Sequence, residues 1–159
     1  DQRGTLRLAA PLHDFGKVAM PDVFLLREGT LTDDEFVKLR KQPQFGHEGL
    51  SMSDYPVMKM AARIALNHHE CWDGGGCPRG IKGREILIEA SITTLVDVYD
   101  AIRAARPYKP AMMHEPEMRI ILEGDGRAHP EHCRSNVLDA LKKANRAMNT
   151  IFESMADAE

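Results

Sequence analysis

Cysteine, aromatic side chains and excess positive charge are all in short supply in this chain. Its 159 residues contain three cysteines, Cys71, Cys77 and Cys133, an odd and sparse set without zinc-finger spacing. That set argues against a disulfide scaffold and for a reducing compartment. Aromatic residues make up only 6%, and no stretch sustains the period-two alternation of half-buried strands, so a sheet architecture is not expected. The formal charge of −3 supplies no basic field, which argues against sequence-independent DNA binding. No uninterrupted apolar run approaches the length of a membrane span and no signal peptide is visible, so membrane insertion is not expected.

What is present fits a soluble globular domain. The composition, 43% apolar and 28% charged, and the length suit one domain with a sizeable core. Ala, Leu, Ile and Met are plentiful, and the chain reads as nearly all helix. A first helix is expected from about Thr5 to Phe15, ended by Gly16, with Pro11 removing a backbone donor and kinking it just before His13 and Asp14. Thr32, followed three residues later by Glu35, fits a capping box. The helix it opens, TDDEFVKLRKQ, has acids before bases, as the macrodipole favours. Pro43 interrupts that helix, and a short one resumes before Ser53. The next, about Val57 to Glu70, packs through Met60, Ala61, Ile64 and Ala65. WDGGGCPRGIKG, residues 72–83, is too rich in Gly and Pro to be other than a loop. A long helix follows from about Glu85 to Ala104, then the basic turn RPYKP, a helix near Glu115 to Leu122 and a last one from about Glu131 to Ser154. The opening, DQRGTLRLAAPLHD, reads as a helix already under way, so an upstream part of the protein is expected to precede it.

Three fragments could carry chemistry: PLHDFGKVAMPD at residues 11–22, NHHECWDG at 67–74 and LVDVYDA at 95–101. Each sets His or Asp on a helix or at its end, and imidazole–carboxylate mixtures are ligands for iron, manganese or zinc. Adjacent residues on a regular helix point about 100° apart, so His13 and Asp14 would not ordinarily serve one ion from one face; they could serve two ions if Asp14 bridges. Each fragment alone has an ordinary reading. A His-Asp dipeptide can be a solvated pair, Asp100 can cap or pair with Arg103, the methionines fill core, and Cys71 and Cys77 are small loop residues.

As an ordered set, HDFGK, a Pro-Asp four residues later, REGTLTDDE, NHHECWDGGGCP, VDVYDA and RPYK resemble the HD-GYP family, from about Leu8 to Lys109. The resemblance implies an all-α fold, the HD-superfamily helical bundle with a metal centre in its core, over residues 1–159. It implies a metal-dependent phosphodiesterase that hydrolyses cyclic di-GMP to the linear dinucleotide or GMP. The setting it implies is bacterial cytoplasmic signalling, often with a sensory or receiver domain upstream or a signalling-protein partner. By position, His13 and Asp14 would be metal ligands, Asp14 bridging two divalent ions, iron or manganese. His68 and His69 would complete one shell and Asp97 the other. Asp14 and Lys17 would be catalytic, Lys17 holding or polarising a phosphate, and Arg106 and Lys109 would contact the dinucleotide.

The chain departs from the family in three places. Gly76-Cys77-Pro78 stands where the signature has Gly-Tyr-Pro, so a position expected to face substrate has a thiol in place of a phenol. Gln42 stands where the pattern has a ligand His; its amide oxygen is a weaker ligand. His47 is a candidate substitute, though five residues on it lies about 140° around a regular helix. The family's upstream helix, which supplies further ligands, precedes the first residue shown. Two functions are therefore carried forward: the phosphodiesterase, and a catalytically degenerate, metal-containing regulatory module that binds cyclic di-GMP or a protein partner. A hydrolase with a different nucleotide substrate is the third.

Overall fold

A computed structural model describes residues 1–25, 32–103, 113–125 and 129–156. Every regular element among them is helical: α1 (Gln2–Ala9), α2 (Asp22–Leu25), α3 (Asp33–Leu39), α4 (Gln42–Leu50), α5 (Pro56–Asn67), α6 (Ile88–Arg103), α7 (His114–Glu123) and α8 (Ser135–Ala156), with four short 3₁₀ turns. The all-α expectation holds for them. The chain divides into two compact units, Asp1–Thr94 and Leu95–Glu159.

In the first unit, α1 and α4 pack on α5. The core is Ala9, Leu50, Ala61, Ala62, Ile64 and Ala65, flanked by Leu6, Leu12, Val57, Met58 and Met60. Small side chains on α5 let the neighbouring backbones come close; a Cβ on Gly46 would lie 3.1 Å from that of Ala65. The expected packing face of α5 is correct in Ala61, Ile64 and Ala65, with Met60 half-buried. The capping box forms as read: Thr32 Oγ1 accepts from the Glu35 amide, and the Glu35 carboxylate accepts from the Thr32 amide at 2.8 Å. Pro43 does separate two helices, and it sits in the first turn of the second, where its missing N–H has no partner to lose.

The first helix differs from expectation. It ends at Ala9, and the chain tightens into 3₁₀ turns over Ala10–Leu12 and Phe15–Ala19. Pro11 does more than kink the helix: the turn that contains it is 3₁₀. Gly16 does not terminate anything by a left-handed conformation. It is buried against α4, where a Cβ would stand 2.0 Å from the carbonyl oxygen of Gln42 and 2.6 Å from the Gly46 nitrogen, so only Gly permits this approach.

In the second unit, Leu95, Tyr99, Met118, Ile121, Val137 and Leu141 are buried. Polar groups are buried with them. Tyr99, His114 and Asn145 form a hydrogen-bonded chain. Arg103 pairs with the fully buried Glu117 at 3.7 Å and lies 4.4 Å from the Phe152 ring centre. Arg103 thus turns to α7, and Asp100, weighed as its partner in the sequence, is exposed. The last helix starts at Ser135, after a 3₁₀ turn over Pro130–His132.

Candidate metal centre

His13 and Asp14 fall between the two 3₁₀ turns, and His13 Nε2 comes within 3.4 Å of Asp14 Oδ2. The close seat of Gly16 on α4 brings Asp14 beside Gln42, whose Nε2 donates to Asp14 Oδ1 at 3.2 Å. His68 is the C-cap of α5 and His69 follows it. Their rings are 4.0 Å apart, and the His13 and His68 rings meet edge to face at 5.1 Å. One ligand atom from each of Asp14, His68 and His69 fits within a 4.8 Å span. His68 is on the buried side and His69 on the exposed side.

Backbone carbonyls orient the imidazoles. His13 Nδ1 lies 2.8 Å from the oxygen of Ala10, and His68 Nδ1 lies 2.9 Å from that of Ala65. Donation from Nδ1 leaves Nε2 with a lone pair, the form that binds metal. In His68 that lone pair is buried without a hydrogen-bond partner and lies 3.9 Å from Asp14 Oδ1. A lone pair facing a carboxylate oxygen is unfavourable unless a cation joins them. Gln42 Oε1 is likewise buried without a hydrogen-bond partner among the described residues. The donor set of imidazole, carboxylate and amide oxygen, with no thiolate, suits a divalent ion such as iron or manganese. The residues fit the metal that the family resemblance implies.

The electrostatics favour ligand forms at neutral pH. Burial works to raise the Asp14 pKa, but His13 when protonated, and Lys17, hold its carboxyl well below the usual carboxylate range by hydrogen bond and charge. Burial, then the charges of His69 and His13, hold His68 down to about 4, against the pull of Asp14. Lys17 Nζ pairs with Asp14 Oδ2 and is half-exposed.

The remaining sequence candidates divide. His47, the candidate substitute for the missing ligand, has Nδ1 3.1 Å from the Ala62 carbonyl oxygen and Nε2 3.5 Å from the Ser51 hydroxyl, and it does not share the span of Asp14, His68 and His69. Cys77 enters through its backbone, the N–H donating to the His69 carbonyl at 3.0 Å. Asp97 is half-buried on α6 in the second unit. Arg106 and Lys109 lie outside the described residues. Sequence reasoning passed over Thr94, whose hydroxyl lies 2.6 Å from the His68 carbonyl oxygen; a mid-helix Thr carries no sequence signal for that.

Helices that bring an Asp and a tandem His pair within one 4.8 Å span define a helical domain with a candidate metal site. The chain belongs to the HD domain family, whose model matches residues 1–130. It is 40% identical over 153 residues to the cyclic di-GMP phosphodiesterase response regulator RpfG of Xanthomonas campestris pv. campestris (strain 8004), covering 96% of this chain and 39% of that protein. It is 43% identical over 155 residues to a cyclic di-GMP phosphodiesterase of Vibrio cholerae serotype O1, covering 94% of this chain and 31% of that protein. A 3'3'-cGAMP-specific phosphodiesterase 2 from the same organism is 39% identical over 122 residues, 77% of this chain and 23% of that protein. The chain thus spans two fifths or less of these relatives. The first two names are those that the HD-GYP resemblance anticipates; the third specifies a different cyclic dinucleotide. No helix among the described residues is long and apolar enough to cross a membrane.

Proposed function

We propose that this chain is the hydrolytic domain of a cyclic-dinucleotide phosphodiesterase, with cyclic di-GMP as substrate and linear dinucleotide or GMP as product. The observation that carries the reading is the convergence of Asp14, His68 and His69 within a 4.8 Å span. In this reading His13, Asp14, His68, His69, Asp97 and Gln42 would hold two divalent ions, iron or manganese. Bound there, such ions supply Lewis acidity and a nucleophilic water at neutral pH. The protein contributes the rest. Asp14 stays ionised, and His68 stays neutral with Nδ1 tied to backbone. Lys17, half-exposed beside Asp14, offers an ammonium to the anionic phosphodiester, and Arg106 and Lys109 supply a planar fork and a point charge for phosphate or guanine. Cys77 lines the substrate side in place of a phenol. A cytoplasmic signalling setting, with an upstream sensory domain or a signalling-protein partner, belongs to the same reading.

One observation favours a second reading, a metal-containing regulatory module that binds the dinucleotide or a protein without turning it over. Gln42 occupies a buried place against Asp14 with an amide donor, where an imidazole lone pair would add a ligand. Chromatography of cyclic di-GMP after incubation with the chain, loaded anaerobically with iron or manganese, separates the two. Linear dinucleotide or GMP that disappears in Asp14→Ala is the expected result. Intact substrate beside a metal-loaded protein supports the regulatory module, and turnover of 3'3'-cGAMP alone would redirect the substrate assignment.

A further inference from the structure

The tandem histidines are followed by a residue to which neither the family resemblance nor the metal assignment gives a role. Glu70 is buried, 4% exposed, and its Oε1 accepts the N–H of Arg79 at 2.8 Å. The Arg79 guanidinium reaches back to Asn67 Oδ1 at 2.6 Å, and the Asn67 amide donates to the Arg63 carbonyl. Between these ties the Cys77 N–H donates to the His69 carbonyl. Gly76 lies so close beneath that a Cβ there would stand 2.3 Å from the Cys71 nitrogen and 2.5 Å from the Glu70 Cα. Residues 76–79 are laid across the backbone of His69–Cys71, and the Glu70 carboxylate is the side chain that fastens them.

Resting on the metal-centre reading above, we propose that Glu70 is a positioning residue for that centre. By holding the Arg79 N–H, Glu70 keeps residues 76–79 on the His69 carbonyl and so fixes the direction in which the His69 imidazole leaves the chain. The His69 ring lies 4.0 Å from that of His68, and the His69 carbonyl is held by the Cys77 N–H. The His68 carbonyl is held separately by Thr94, which leaves His69 as the ligand that depends on Glu70. A buried polar group is costly unless it is hydrogen-bonded, and Glu70 Oε1 meets that need with the Arg79 N–H at 2.8 Å.

The test is manganese(II) binding to the metal-stripped full chain, read as loss of the free-ion electron paramagnetic resonance signal, with folding followed by circular dichroism. Glu70→Asp keeps the charge but shortens the reach to Arg79. With Glu70→Ala, it is expected to weaken affinity about 10- to 100-fold, the range for residues that orient metal ligands. Glu70→Gln keeps an oxygen acceptor at the same reach and is expected to stay close to wild type. Wild-type affinity in Glu70→Asp overturns the proposal. A folded Glu70→Gln as weak as Glu70→Asp overturns it too, because charge rather than the hydrogen bond would then matter. Should Glu70→Ala fail to fold, the Asp and Gln variants decide between them. No manganese binding by the wild-type chain is a different result: it removes the centre itself.

Discussion

Two of the seven histidines are buried, and they are finished differently. His114, in the second unit, has both ring nitrogens engaged: Nε2 with Asn145 Oδ1, and Nδ1 with the Tyr99 hydroxyl at 2.9 Å. An amide oxygen only accepts, so Nε2 donates and Nδ1 receives the phenolic proton. Both ring nitrogens thus have partners. His68, in the first unit, has Nδ1 tied to backbone carbonyls, while Nε2 faces a carboxylate with no donor between them. Each site places a buried imidazole among polar side chains. One has both ring nitrogens partnered, and the other leaves a lone pair facing a carboxylate. The difference separates a histidine whose hydrogen bonds are all made from one with a nitrogen open to a cation.

The largest expected effect tests the open site. Asp14→Ala is expected to take bound iron or manganese to background by elemental analysis, while circular dichroism stays helical. Full metal content in that variant would remove Asp14 from the ligand set and leave the contrast with His114 without its chemical meaning. At the closed site the losses are reversed. His114→Leu leaves the Tyr99 hydroxyl and the Asn145 amide buried without their partner, which costs about 1–3 kcal/mol. Urea denaturation is expected to show that loss with metal content unchanged. A His114→Leu variant as stable as wild type would mean that the circuit adds nothing beyond packing.

Much of the first unit was legible in the sequence because its signals are local. The Thr32–Glu35 cap, the apolar spacing of α5 and the Gly-rich run after His69 each depend on neighbours within a few residues. What was not legible depends on contacts between segments far apart. Gly16 read as a helix stop, although its constraint is the backbone of α4, 26 residues on. His13 and Asp14 read as diverging, because nothing local says that Pro11 would convert the helix to 3₁₀ turns. His114 and Glu117 gave no signal at all. Their burial is set by Tyr99, Arg103 and Asn145 on other helices, and a His-Glu-Pro-Glu start looks solvent-facing. The candidate residue types could be read from the sequence itself; their convergence was expected only from the family resemblance, not from any local signal.

The closed circuit also has a pH signature. Burial raises the Tyr99 pKa above its ordinary value, with the Arg103 charge opposing it. A group whose folded pKa is raised contributes its stability in full below the unfolded pKa, about 10 for Tyr, and loses it as pH rises through the folded value. Tyr99→Phe is therefore expected to be less stable than wild type at neutral pH, by about 1 kcal/mol for one hydrogen bond. The gap should narrow as denaturation is repeated above pH 10. A gap that stays constant with pH would mean that the Tyr99 hydroxyl titrates as it does in the unfolded chain.

The smallest expected effect concerns Gln42, the residue that brings the two clusters closest in character. Its amide donates to Asp14 Oδ1 at 3.2 Å, much as the Tyr99 hydroxyl donates to His114, and to that extent it partly closes the open site. A histidine there could replace the donor with a lone pair directed at the same place. Gln42→His is expected to raise manganese occupancy per chain or tighten its binding modestly, since the position is already buried beside Asp14 and needs no new backbone path. Unchanged occupancy and affinity would place residue 42 outside the coordination shell. Its amide would then serve only to hold the carboxylate, and the incomplete polarity of this cluster would rest on His68 and Asp14 alone.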